Sequence, residues 1–367
     1  MYRLYKHDWM HGGKARTLPC EIVVLLSRQC FLNCATCGTK AMYGSDERFT
    51  DFLDVRDMRR MADELASWRS PVYVKMTGGE ATMHPQFFEI LDYFAYKKVP
   101  VRLSTNGVLF KAQEKAYALV DSGLEVVTIS VDGASEGHNQ IRKVKNLYQN
   151  IMAGIAHIQE RRRQKKAKKP MIQIATIISR YNYETIDRFV RDLEKIGVDW
   201  LHMGFCQYMR DEHGVQSEKV CKALGGVGDD KWKFWRDNPL TSMEGIDCQV
   251  LSEKLGKIFS EQHSFPVTMF NIGGYSAEHI RRWHFTDELI HQGLCANPYV
   301  SMVVLSPGLA CFCIDFPQFY YGDLRKNSLK EIWFSEQAQT FRRRFLGYYK
   351  EHNQNMPQCI RCGWRFW

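Results

Sequence analysis

No apolar run in this 367-residue sequence approaches 18 residues, so no helix is expected to span a membrane. The N-terminus, MYRLYKHDWMHGGKAR, lacks the apolar core that a secretory signal needs. Without that signal, the 12 cysteines argue for a reducing, cytoplasmic setting and metal ligation rather than a disulfide framework. The densest basic run, residues 161–169 (RRRQKKAKK), has no interleaved aromatic residue, which argues against nucleic acid as its partner. It reads as a solvated loop after a helix, and the net charge of +9 suits an acidic protein or a phosphorylated substrate. Otherwise the composition is ordinary: 45% hydrophobic and 25% charged, in a chain long enough for one large α/β domain and a smaller one.

What the sequence does have is sulfur in two places. Cys30-Phe31-Leu32-Asn33-Cys34-Ala35-Thr36-Cys37 puts three thiols within eight residues. The preceding EIVVLLS reads as a short buried strand, so the thiols leave its carboxyl end, where α/β sheets place their chemistry. Three thiolates suit a four-iron cluster best, and they leave one iron open to a ligand that is not protein. Cys20 precedes the strand and lies about 23 Å off at roughly 3.3 Å per extended residue, so it is read as no ligand.

The chain then alternates. Helices are expected over 54–68, 86–97, 114–122, 147–163 and 185–196, and strands over 72–76, 101–104, 125–131, 172–178 and 200–205. Six strand–helix units predict a parallel sheet of right-handed βαβ connections, a partial (β/α)6 barrel open on one side. Three strands end in small or polar motifs: Gly78-Gly79-Glu80, Thr105-Asn106-Gly107, and Ser130 followed by Asp132-Gly133. Residues 1–19 read as a lead-in. Residues 207–290 read as bridging structure over the open side, with helices near 247–262 and 276–288.

The last segment, 291–367, holds the second sulfur group: Cys295, Cys311, Cys313, Cys359 and Cys362. Strands over 299–305 and 309–314 around Ser306-Pro307-Gly308 predict a hairpin, followed by a helix over 328–334 and a terminal CxxC. Four thiolates saturate either a zinc ion or a four-iron cluster, and spacing alone favours zinc.

The CxxxCxxC loop resembles that of the radical SAM superfamily, with Thr36 where the family usually has an aromatic residue. The resemblance continues in order through GGE, TNG, S-x-D-G and the H-x3-R of His138 and Arg142. It implies a [4Fe-4S] cluster on Cys30, Cys34 and Cys37, whose open iron takes S-adenosylmethionine. It implies cofactor contacts from Gly78, Gly79, Glu80, Ser104, Asn106, Ser130, Asp132 and Arg142. The C-terminal segment resembles a SPASM/twitch domain: a hairpin-plus-helix unit with a G-x4-C turn, a GDL-x-x-x-SL-x-E-I-W stretch and the final CxxC. By that pattern an auxiliary [4Fe-4S] cluster sits on Cys295, Cys313, Cys359 and Cys362, while Cys311 faces away. The compact C-x2-C-x5-C-x3-C element of full SPASM domains is absent, which implies the shorter twitch arrangement and one auxiliary cluster suited to electron transfer.

The implied activity is hydrogen-atom abstraction by a 5′-deoxyadenosyl radical, fed by a flavodoxin- or ferredoxin-type reductant. A leader-binding domain of about 80–90 residues, frequent in peptide-modifying relatives, has no room before residue 30. The expected substrate is therefore a small polar metabolite of sugar, cyclitol or nucleoside type, oxidised or epimerised. The alternative is a maturase that crosslinks or epimerises a ribosomally made peptide. A remote alternative is a non-redox zinc protein that binds nucleic acid. Cys206 ends the sixth strand and is the candidate thiol for returning a hydrogen atom to a substrate radical.

Overall fold

The structure is a computed structural model that describes residues 8, 12–37, 51–205, 208–227, 233, 243–269, 274–286, 293–314, 318–353 and 355–362. The run EIVVLLS forms β1 (Glu21–Ser27), buried at every position. A strand apolar on both faces needs neighbours on both edges and cover on both sides. β1 has them, pairing in parallel with β2 (Tyr73–Gly78) and, on its other edge, with β8 (Ser301–Leu305).

From β2 the sheet continues in parallel through β3 (Val101–Thr105), β4 (Val126–Ser130), β5 (Met171–Ile178) and β6 (Trp200–Phe205). The crossovers carry α1 (Val55–Ser67), α2 (Phe87–Tyr96), α3 (Gln113–Asp121), α4 (Ser135–Arg142), α5 (Leu147–Lys165) and α6 (Ile186–Ile196). α6 shows why such helices form here. Ile186, Phe189, Val190 and Leu193 fall on one stripe and are buried, and Gly197 at φ 78° ends the helix. Alternation in β5 sorts the two sheet faces: Ile172, Ile174 and Ile178 enter the main core, while Gln173, Ala175 and Ile177 are half-buried on the inner face.

The partial barrel is present as expected, and the sheet runs past its six strands at both ends. Residues 207–290, expected only to cover the open side, supply α7 (Asp211–Ala223), α8 (Cys248–Ser260), a seventh parallel strand β7 (Val267–Met269) beside β6, and α9 (Ala277–Phe285). Three residues of VTM carry too short a pattern to announce a strand. At the other end, after the short α10 (Asn297–Val300), β8 and β9 (Leu309–Cys311) form the predicted hairpin, and β10 (Gly322–Asp323) adds a third antiparallel strand. The hairpin is continuous with the barrel, giving one ten-stranded sheet among the described residues.

The chain closes with α11 (Leu329–Phe334), which has a capping box at Ser328 and Glu331, and α12 (Glu336–His352). The lead-in docks on these last helices. Ala15 N donates to Gln339 Oε1 at 2.9 Å, and Trp333 Nε1 donates to Thr17 O at 2.8 Å. No helix among the described residues is long and apolar enough to cross a membrane.

Candidate functional site

The first cysteine loop is held from below by the end of β2. Gly79 N donates to Ser27 O and Glu80 N to Gln29 O, both at 2.7 Å. A Cβ on Gly78 would stand 2.1 Å from Ser27 O, and one on Gly79 would stand 2.4 Å from Arg28 O. The two glycines therefore admit the protein's own backbone, the lead into the cysteine loop, and fix where that loop sits.

Glu80 is 2% exposed and its carboxylate is already engaged. Oε1 accepts from Thr82 N (3.1 Å), Thr82 Oγ1 (2.7 Å) and Thr105 Oγ1 (2.8 Å), and Oε2 accepts from Asn106 N (2.7 Å). A carboxylate offers about four acceptor positions. Glu80 thus ties the end of β2 to the end of β3 and keeps little capacity for a ligand ammonium group. Asn106 has the opposite character. Its Oδ1 accepts from Val108 N at 3.0 Å, while its Nδ2 is buried without a hydrogen-bond partner. A buried donor left in this way fits a missing acceptor at the strand ends. Ser104 and Ser130 lie half-buried at the ends of β3 and β4.

The S-x-D-G motif does something its sequence does not announce. Asp132 is 1% exposed. Its Oδ2 takes Arg142 Nε at 2.8 Å and Nη2 at 2.6 Å, and its Oδ1 accepts from Ile177 N at 3.0 Å. Arg142 Nη1 in turn reaches Cys34 Sγ at 3.6 Å. Burial works against the Arg142 charge, but Asp132 and Cys34 outweigh it and hold the guanidinium protonated. Asp132 thus faces Arg142, and Arg142 faces the cysteine loop. His138 is fully buried and accepts from Asp132 N through Nδ1 at 3.0 Å; burial lowers its pKa to about 4 and keeps it neutral.

The three loop thiols stand in one another's field. Burial raises the Cys30 pKa, the Leu32 backbone opposes this, and Glu80, Cys34 and Cys37 push it further up. Cys30 and Cys34 are half-buried and Cys37 is exposed.

The four assigned cysteines of the second group are half-buried, and none is exposed. Burial pushes Cys359 well above the thiol range, with further contributions from Cys362, Cys295, Cys313 and Cys221. The four cysteines assigned to one cluster are therefore neighbours in space. Cys221, on α7, is a fifth thiol that the sequence pattern did not single out; α7 packs on the turn Pro357–Cys359, and Cys221 is 2% exposed. Asn355 braces the group by accepting from Cys295 N at 2.8 Å and donating to Gly293 O at 2.8 Å. Cys311 lies apart, fully buried in a small apolar cluster with Val23, Leu25, Val303 and Leu305. Cys20 donates to Val300 O at 3.5 Å. Arg361, inside the CxxC, is 2% exposed; it donates to His284 O at 3.3 Å and Thr286 O at 3.0 Å and lies 4.4 Å over the Tyr208 ring. Burial first, then Arg361 and Arg210, lower the His284 pKa to about 3.

No three His, Cys, Asp or Glu side chains among the described residues converge tightly enough to hold one metal ion. Cys206 lies outside the described residues. Four residues of the basic run serve the scaffold: Arg161 and Lys165 pair with Asp121, Arg162 with Asp199 and Lys169 with Glu125.

Residues 24–193 match the Radical SAM superfamily model, and residues 295–363 match the SPASM iron–sulfur cluster-binding domain model. The chain carries a radical SAM domain followed by a SPASM iron–sulfur cluster-binding domain. Its cofactors are a [4Fe-4S] cluster, an auxiliary [4Fe-4S] cluster and S-adenosylmethionine. Among curated proteins it is 32% identical to Fe-coproporphyrin III synthase of Methanosarcina barkeri, over 38% of this chain and 34% of that protein. It is 31% identical to the mycofactocin maturase MftC of Mycobacterium tuberculosis, over 47% of this chain and 41% of that one. The chain thus spans well under two thirds of these relatives. Among solved structures, Streptococcus suis SuiB bound to precursor peptide has a TM-score of 0.62 at 16% identity, covering 91% of this chain and 67% of that chain. This radical SAM chain shares its fold with SuiB.

Proposed function

We propose that this radical SAM enzyme is a maturase of a ribosomally made peptide. The observation that carries this reading is a convergence: the likeness to MftC maturases in sequence and the likeness in fold to SuiB, whose structure holds a precursor peptide. It displaces the small polar metabolite as the favoured substrate. A tetrapyrrole is the second reading, from the likeness to Fe-coproporphyrin III synthase.

On this reading Cys30, Cys34 and Cys37 hold the cluster that binds S-adenosylmethionine. Cys295, Cys313, Cys359 and Cys362 hold the auxiliary cluster. When bound with S-adenosylmethionine and given one electron, the first cluster would supply hydrogen-atom abstraction from the substrate. The protein's own part is to orient. Gly78, Gly79 and Glu80 seat the loop, Asn106 Nδ2 offers a donor at the strand ends, and Ser104 and Ser130 face the inner side. The reading divides the chain at 1–19, 20–206, 207–290 and 291–367, and a flavodoxin- or ferredoxin-type reductant would supply the electron.

The test is an anaerobic incubation of reconstituted enzyme, reductant and S-adenosylmethionine with a peptide encoded beside its gene, or with iron-coproporphyrin III. A change in peptide mass, matched by 5′-deoxyadenosine, is the expected result. Turnover of the porphyrin alone would reverse the assignment.

A further inference from the structure

We propose that Arg142 sets the reduction potential of the cluster on Cys30, Cys34 and Cys37, as an outer partner bonded to Cys34. The proposal rests on the ligand reading above. Three contacts carry it. Arg142 Nη1 meets Cys34 Sγ at 3.6 Å, while Nε and Nη2 meet Asp132 Oδ2 at 2.8 and 2.6 Å. Asp132 is itself tied to β5 through Ile177 N at 3.0 Å. The backbone closes the unit, because Ala35 N in the loop donates to Ile141 O at 2.9 Å, one residue before Arg142. The guanidinium is therefore anchored on one side to the sheet and on the other to a ligand thiol.

The chemistry follows from charge. Reduction adds one electron to a cluster already made negative by its thiolates. A fixed positive group donating N–H to one sulfur favours the reduced form more than the oxidised form, and so raises the potential. Asp132 is the buried member of the pair, and it offsets part of the charge of the half-buried arginine beside it. A planar fork serves the carboxylate and the thiolate at once, and a lysine cannot. Arg142 acts through Cys34 and is a positioning and tuning residue, not a catalytic one.

The test is a redox titration followed by electron paramagnetic resonance on the full chain, reconstituted with iron and sulfide. The signal of the first cluster is identified by its change on adding S-adenosylmethionine. Arg142→Gln is expected to keep its iron while its midpoint moves negative. At a fixed ambient potential the reduced-to-oxidised ratio should fall at least tenfold, which is about 59 mV for a one-electron couple. Arg142→Lys should recover part of the shift. Full iron with an unmoved midpoint in Arg142→Gln overturns the proposal. If that variant does not load iron, the wild type decides. Protein labelled with 15N-guanidino arginine should show a weak nitrogen coupling to the reduced cluster, and its absence overturns the proposal as well. A signal in Cys30/Cys34/Cys37→Ala that still changes on adding S-adenosylmethionine would instead sink the ligand reading beneath it.

Discussion

The two cysteine groups are built from the same parts and set differently. Each is backed by an arginine, half-buried Arg142 or buried Arg361, and by a buried neutral histidine, His138 or His284. In the first group the arginine is forked on a carboxylate and reaches a thiol, and one cysteine is exposed. In the second the arginine rests on carbonyl oxygens and an aromatic face, and Cys295, Cys313, Cys359 and Cys362 are all half-buried, with none exposed. Openness suits a cluster that must admit a cofactor. Four half-buried thiols with none exposed suit a cluster ligated only by protein.

The sharpest way to break this comparison is to remove one group at a time. Cys30/Cys34/Cys37→Ala should abolish S-adenosylmethionine cleavage and lower the iron content from about eight to about four per chain, at four irons per cluster. Cys359→Ala should give the same fall in iron while cleavage persists. Iron and sulfide counting, with 5′-deoxyadenosine measured by chromatography, reads both. A variant of the first group that keeps about eight irons would dissolve the assignment.

A smaller effect separates the loop's seat from its ligands. Gly79→Ala places a Cβ at 2.4 Å from Arg28 O, so backbone must move. The expected cost is about 1–3 kcal/mol, as for other overpacked sites, together with weaker binding of S-adenosylmethionine. Urea midpoints and an equilibrium binding titration check the two parts. Smaller still is Cys311→Ala. That thiol lies in the apolar cluster with Val303 and Leu305, so about 1 kcal/mol of stability should be lost, as for other small core deletions. The iron content should not change, whereas Cys313→Ala should lose the second cluster.

Much of this was legible in the sequence because the signals were local. EIVVLLS reads as a doubly buried strand, and its observed limits are those of the run itself. The cysteine spacings and the order of GGE, TNG and S-x-D-G fixed the superfamily. What escaped was anything set by distant contact. Nothing in the pattern says that β8 would pair with β1 some 280 positions earlier, a separation like that between Cys20 and Val300. Nor does it say that Glu80 would be saturated by Thr82, Thr105 and Asn106, or that Asp132 would serve Arg142. Cys221 was invisible for the same reason: a lone cysteine on a helix has no spacing, and only the packing of α7 on the terminal turn brings it to the second group.

The finest comparison between the two groups is their response to acid. An unfolded histidine takes its proton near pH 6.5, whereas folded His138 does so at about 4 and His284 at about 3, each lowered first by burial. Below pH 6.5 the unfolded chain therefore binds more protons than the native one, and stability falls as pH falls. Each histidine adds about 1.4 kcal/mol per pH unit to that slope, down to its folded pKa. Urea midpoints between pH 6.5 and 4 should decline for the wild type. His138→Gln and His284→Gln should each flatten the decline by a similar amount, since glutamine can accept the backbone hydrogen bond without titrating. Both effects together would show that the two histidines are held neutral to the same end. Flattening by His138→Gln alone would confine the buried-histidine device to the first group, and the likeness between the two sites would then stop at their arginines.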